Sequence, residues 1–181
     1  MKTPEEGLTL TSRFVPSPKH KHMRRIDELL SEYGESHQNQ TNKAIHWICV
    51  PLIFFSVVGL LASIPSGFVQ RFLGEGNPYA NWATVVLILV IVYYTTLSLS
   101  LALGMMLFGV LCLFVARVIT DMHVAPLWLV SVVLFLVAWI GQFYGHKVEG
   151  KKPSFFKDVQ FLMIGPAWLM HFIYKKLRIP Y

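Results

Sequence analysis

Two long stretches of this chain, Ala44 to Val69 and Gly76 to Ala116, contain no Asp, Glu, Lys or Arg. About 20 such residues suffice to cross the hydrocarbon core of a bilayer as a helix. That one pattern rules out an ordinary soluble domain and points to an all-α, integral membrane helical bundle. The remaining composition agrees. Charged residues make up 14% of the 181, against about 25% in typical soluble domains. Hydrophobic residues reach 54%, with a mean hydropathy of +0.51.

The first span is expected over Ala44–Ile64, where Pro65, Ser66 and Gly67 break it. Residues 68–81 read as a loop with Arg71, Glu75 and the turn-forming Gly76-Asn77-Pro78. Trp82 to Ile119 is too long an apolar run for one crossing, so two are expected, divided near Ser98–Gly104. Thr120–Ala125 is a connection, and Pro126 to about Gly145 makes a fourth span. The last apolar piece, Val159–Tyr174, is interrupted by Gly165-Pro166 and reads as an interfacial or re-entrant helix. Before the spans, Met23, Ile26, Leu29, Leu30 and Tyr33 recur at helical spacing among charges, which predicts an amphipathic surface helix ending near His37. Residues 1–22 read as a flexible tail with solvated His20 and His22, and 23–181 as a single membrane-embedded domain. No short apolar segment with a cleavage site is visible in the polar first 43 residues, so no signal peptide is expected. Cys49 and Cys112 lie in different spans and read as buried single thiols.

Basic residues set the orientation. Seven of the 16 Lys and Arg precede residue 44 and seven follow residue 146. The positive-inside rule then puts both termini in the cytoplasm, which needs an even number of crossings, and four satisfies it. On that topology His37, His46, His146 and His171 share the cytoplasmic side, while Asp121 and His123 fall on the opposite face. On an unbroken helix His37 and His46 would point about 900° apart, on opposite faces. A turn at Asn39–Asn42 is therefore expected, with Asn42 or Thr41 as N-cap of the first span. In the segment Trp139–Pro153, Gln142 and His146 share a helix face, with Glu149 three residues on. Imidazoles suit iron, zinc, copper or nickel. Each histidine alone could be an interface anchor, and Gln142 or Glu149 a simple helix cap. Yet polar groups at membrane depth are costly, and several of them on one side mark a function.

The pattern H-x4-N-x3-H-x4-P (His37, Asn42, His46, Pro51) resembles a family of small multi-span proteins, the Fe(II)-dependent 2-hydroxy-fatty-acid dioxygenases. So does W-x2-Q-F-x-G-H-x2-E-x3-P (Trp139, Gln142, Phe143, Gly145, His146, Glu149, Pro153). The resemblance covers about residues 23–178. It implies one-carbon shortening (α-oxidation) of a 2-hydroxy long-chain fatty acid with dioxygen and ferrous iron, Fe(2+), the iron being held by His37, His46 and His146. Asn42, Gln142 and Glu149 would position the head group or fix ring tautomers, and Lys147 or Lys152 would steer the carboxylate. Family members often carry a Glu near the position of His171, so His171 is a candidate fourth ligand. Two other classes stay open: a haem-binding electron carrier using His46 and His146, and a non-catalytic membrane binding or assembly protein. The compact length and absent retention signal point to a bacterial inner membrane, with the endoplasmic reticulum as the eukaryotic alternative.

Overall fold

Among the described residues of the computed structural model seven helices follow one another: α1 (Arg25–Glu35), α2 (Gln40–Ala62), α3 (Gly67–Leu73), α4 (Trp82–Leu97), α5 (Leu99–Met122), α6 (Leu127–Glu149) and α7 (Phe155–Leu177). The structure describes residues 24–150 and 155–180, with the backbone alone over 155–161. The expected tail with His20 and His22 lies outside the described residues, as do residues 151–154. Among the described residues there is no strand.

Caps decide where the helices begin. Asn39, rather than Thr41 or Asn42, caps α2, its side chain accepting from the Thr41 and Asn42 amides at 2.8 and 3.4 Å. The helix therefore starts four residues ahead of the expected Ala44, and the turn before it is Ser36–Asn39 rather than Asn39–Asn42. Part of the expected 68–81 loop is helical. There α3 runs until Gly74, whose φ of 111° is one that side chains rarely adopt. Within the long apolar run the break falls at Ser98, extended at φ −165° and ψ 126°. This single residue ends α4 and caps α5. The chain reverses there, and Leu87 of α4 packs on Gly109 of α5, each eleven residues from the turn.

Among the described residues three helices, α2, α5 and α6, are long and apolar enough to cross a membrane. Helix α4 has 16 residues, about 24 Å at 1.5 Å per residue, shorter than the roughly 30 Å hydrocarbon core. Large apolar side chains such as Leu89, Leu103, Leu107, Phe114, Leu136 and Ile140 face outward. Both cysteines are buried and free.

The antiparallel pair α2 and α6 carries the site. Small residues let the two backbones approach, as is usual where lipid removes the hydrophobic drive between helices. A Cβ on Gly59 would lie 2.2 Å from the Ser131 hydroxyl, one on Gly141 2.7 Å from the Cys49 sulfur, and one on Gly145 2.4 Å from Asn42 Oδ1. Gly59 sits beside Leu127, at the end of the seam away from the histidines. Gly59→Ala is expected to cost about 1–3 kcal/mol by overpacking, read as a lower melting temperature in detergent. An unchanged melting temperature would mean that the seam yields there.

Helix α7 is not interrupted at Gly165-Pro166; it continues through Pro166, which withholds a backbone donor from the ladder. The fully buried Tyr94 of α4 donates its hydroxyl to the carbonyl of Met163, in the turn before that proline. Further along, the Tyr174 hydroxyl donates to the Ser100 carbonyl at the hairpin tip (2.7 Å). The buried face of α1, formed by Ile26, Leu30 and Tyr33, packs with Ile164, Trp168 and Leu169 of α7 and with Val50 and Leu101. So α7 and α1 together close one side of the end where α2 begins and α6 stops.

Candidate metal centre

His46 stands in the second turn of α2, and His146 in the last turn of α6. Because the two helices are antiparallel, the first turns of α2 meet the last turns of α6. The Ser36–Asn39 turn then returns His37 to the same place. All three side chains are buried, at 2%, 1% and 7% exposure for His37, His46 and His146. One ring nitrogen from each lies within 4.8 Å of the others. Ring centroids are 4.1 Å apart for His37 and His46, 5.2 Å for His46 and His146, and 5.5 Å for His37 and His146.

Backbone carbonyls set two of the tautomers. His37 Nδ1 lies 2.6 Å from the Tyr33 carbonyl, and His46 Nδ1 lies 2.9 Å from that of Asn42. A carbonyl only accepts, so Nδ1 carries the proton in both rings and Nε2 keeps its lone pair. Metal-ligating histidines are commonly oriented this way. Aromatic packing holds His37 further: it stacks on Tyr33 (4.2 Å, 13°) and lies 5.4 Å from Trp168. Sequence reasoning missed these two aromatics. Tyr33, four residues before His37 on the same helical face, was the available signal.

Outside the rings, Glu149 accepts from the Gln38 amide at Oε1 (2.8 Å), and from the Asn39 amide (2.9 Å) and Asn42 Nδ2 (3.0 Å) at Oε2. A carboxylate is favoured here, beside the positive N-terminal end of α2. Asn42 is fully buried; its Nδ2 also reaches the Ser36 carbonyl (3.3 Å), while Oδ1 has no hydrogen-bond partner. Gln142 is buried one turn before His146, and Lys147 is exposed at the rim. Lys152 lies outside the described residues.

His171 is not brought into the group of three. It is half-buried on α7 beside Phe172, with Asp27 and Lys175 as charged neighbours. Asp121 and His123 end α5 at the opposite end of the bundle, where Arg117 pairs with Asp121 at 2.8 Å. A haem between His46 and His146 would need a flat slot, and His37 packs against both rings instead. What the arrangement offers is three convergent imidazoles in a pocket shielded from water, which suits a first-row transition ion.

Residues 23–177 match a protein family described as 2-hydroxy-palmitic acid dioxygenase Mpo1-like. The chain is 30% identical over 149 residues to 2-hydroxy-palmitic acid dioxygenase MPO1 of Saccharomyces cerevisiae, a match covering 81% of this chain and 78% of the yeast protein. No solved structure matches it. The chain belongs to the Mpo1-like family, and its three clustered histidines all lie within the matched region.

Proposed function

We propose that this protein is an iron-dependent dioxygenase that shortens 2-hydroxy long-chain fatty acids by one carbon, working at the cytoplasmic face of the membrane it spans. The observation that carries the reading is the convergence of His37, His46 and His146, buried, with ligand atoms within 4.8 Å. Membership of a family described as 2-hydroxy-palmitic acid dioxygenase Mpo1-like supports the substrate class. The long apolar helices support a place in the membrane, and the basic residues grouped near both chain ends support the cytoplasmic side.

The donor set fits the metal, since neutral imidazoles suit iron. Ferrous iron held by these three rings would supply the redox chemistry that joins dioxygen to cleavage of the C1–C2 bond. The chain's own residues do the rest. The Tyr33 and Asn42 carbonyls keep two rings in the ligating tautomer. Asn42 and Gln142 are the buried amides assigned to the 2-hydroxy acid head group, and exposed Lys147 draws its carboxylate to the rim. The acyl chain lies along the apolar outer faces of the helices.

Metal analysis joined to oxygen uptake tests this reading. Purified protein is expected to carry one iron per chain and to consume oxygen with 2-hydroxypalmitate but not with palmitate. Chelation should remove both, and added Fe(II) should restore them. Protein with no iron and no uptake would sink the reading.

A further inference from the structure

The Glu149 carboxylate ties the end of α6 to the turn that presents His37. Its two oxygens engage three donors, the Gln38 amide, the Asn39 amide and Asn42 Nδ2. Two of those donors are backbone groups directly following His37, and the third belongs to the helix that carries His46. On its own helix Glu149 stands three residues beyond His146. It therefore touches all three chain segments that deliver the imidazoles. It is not itself in the cluster of ligand-capable atoms, which comprises the three histidines.

The other hydrogen bonds of the turn are local. His37 N–H bonds back to Gly34, Gln38 Nε2 also reaches the Gly34 carbonyl, and Asn39 caps its own helix. Each of these bonds stays within α1, the turn or the start of α2. The hydrogen bonds of Glu149, by contrast, reach from α6 across to the turn and to the start of α2.

We infer that Glu149 is a positioning residue: it clamps the α1–α2 turn onto the end of α6 and thereby sets the spacing of His37 from His46 and His146, without touching metal or substrate. This rests on the metal-centre reading above, and the sequence-based assignment of Glu149 to head group or ring is replaced by it. The geometry also says what a substitution does. Gln presents one acceptor and one donor group to three donors, so it loses part of the clamp. Asp keeps the charge and the basicity but is one methylene too short to reach both amides and Asn42.

The test has two arms on the full-length protein in detergent. In the metal-free protein, hydrogen exchange is followed in a peptide covering residues 36–40. Protection is expected in the wild type and faster exchange in Glu149→Gln and Glu149→Asp. In the second arm, cobalt(II) titration followed by its visible absorption is expected to show about 10–100-fold weaker binding in both variants, the usual cost of losing an outer support of a metal site. At saturating iron, both variants should regain turnover to within a few-fold, with the wild-type pH profile. Exchange and cobalt affinity both unchanged would overturn the assignment. So would turnover that stays lost at saturating iron, or that loses one limb of its pH profile, since either marks a group acting in the chemistry. Should one variant fail to fold, the other carries both arms. A wild-type protein that binds no cobalt overturns the metal reading and this assignment's link to it, while the exchange arm still reports whether the clamp exists.

Discussion

The His46→Ala protein is expected to hold no stoichiometric iron and to turn over no 2-hydroxy acid. His46 is 1% exposed and packs against both partner imidazoles, at 4.1 and 5.2 Å between centroids. Removing it takes one of three convergent ligands, a larger loss than the roughly 10–100-fold that follows from removing an outer partner. The alanine also leaves a buried cavity, so His46→Gln, which fills more of the space, separates loss of metal from loss of fold. His123→Ala, at the far end of the bundle, serves as the control and should keep its iron. Iron content by mass spectrometry and oxygen uptake read both effects. A His46→Gln protein with full iron and normal uptake would remove His46 from the site.

Gly145→Ala is expected to damage stability and metal binding together. The new Cβ would stand 2.4 Å from Asn42 Oδ1 and 3.5 Å from Ile45 Cγ2. Asn42 has little freedom to turn away, because its Nδ2 is held by Glu149 and the Ser36 carbonyl. Helix α2 must then move off α6 where His46 and His146 have to converge. The expected cost is about 1–3 kcal/mol of stability, with metal affinity weakened by roughly 10–100-fold. Gly59→Ala makes a similar clash, 2.2 Å from the Ser131 hydroxyl, at the other end of the same seam. It should lower the melting temperature and leave metal affinity alone. Equal metal affinity in the two variants would mean that the histidine end tolerates a wider separation.

Much of this was legible in the residues. Charge-free runs located the apolar helices, and the reversal inside the longest of them fell at Ser98, within the expected interval. The distribution of Lys and Arg grouped His37, His46 and His146 on one side, and the structure brings these three together. What escaped depended on distant partners. Gly165-Pro166 read as an interruption, whereas α7 continues through it, and the Tyr94 hydroxyl that engages the Met163 carbonyl in the preceding turn comes from 69 residues earlier. Glu149 read as a residue for the head group or for ring tautomers, since the amides it accepts from belong to a turn more than a hundred residues earlier. The Tyr33 and Asn42 carbonyls that set the tautomers are main-chain groups, and every helical residue has such a carbonyl four positions back. His171 shared the side of the other histidines, but the packing of α7 against α1 leaves it beside Asp27 and Lys175.

The ligands are divided unequally along the chain, and this gives the centre a place in time. His37 and His46 leave the ribosome nearly together, whereas His146 comes a hundred residues later. At about 5–20 residues per second that is a delay on the order of 5–20 s. A nascent chain still lacking α6 presents two imidazoles and no Glu149, so it holds only part of the cluster. Assembly of α6 against α2 thus doubles as a completion step: the cluster of three imidazoles exists only once the bundle is finished.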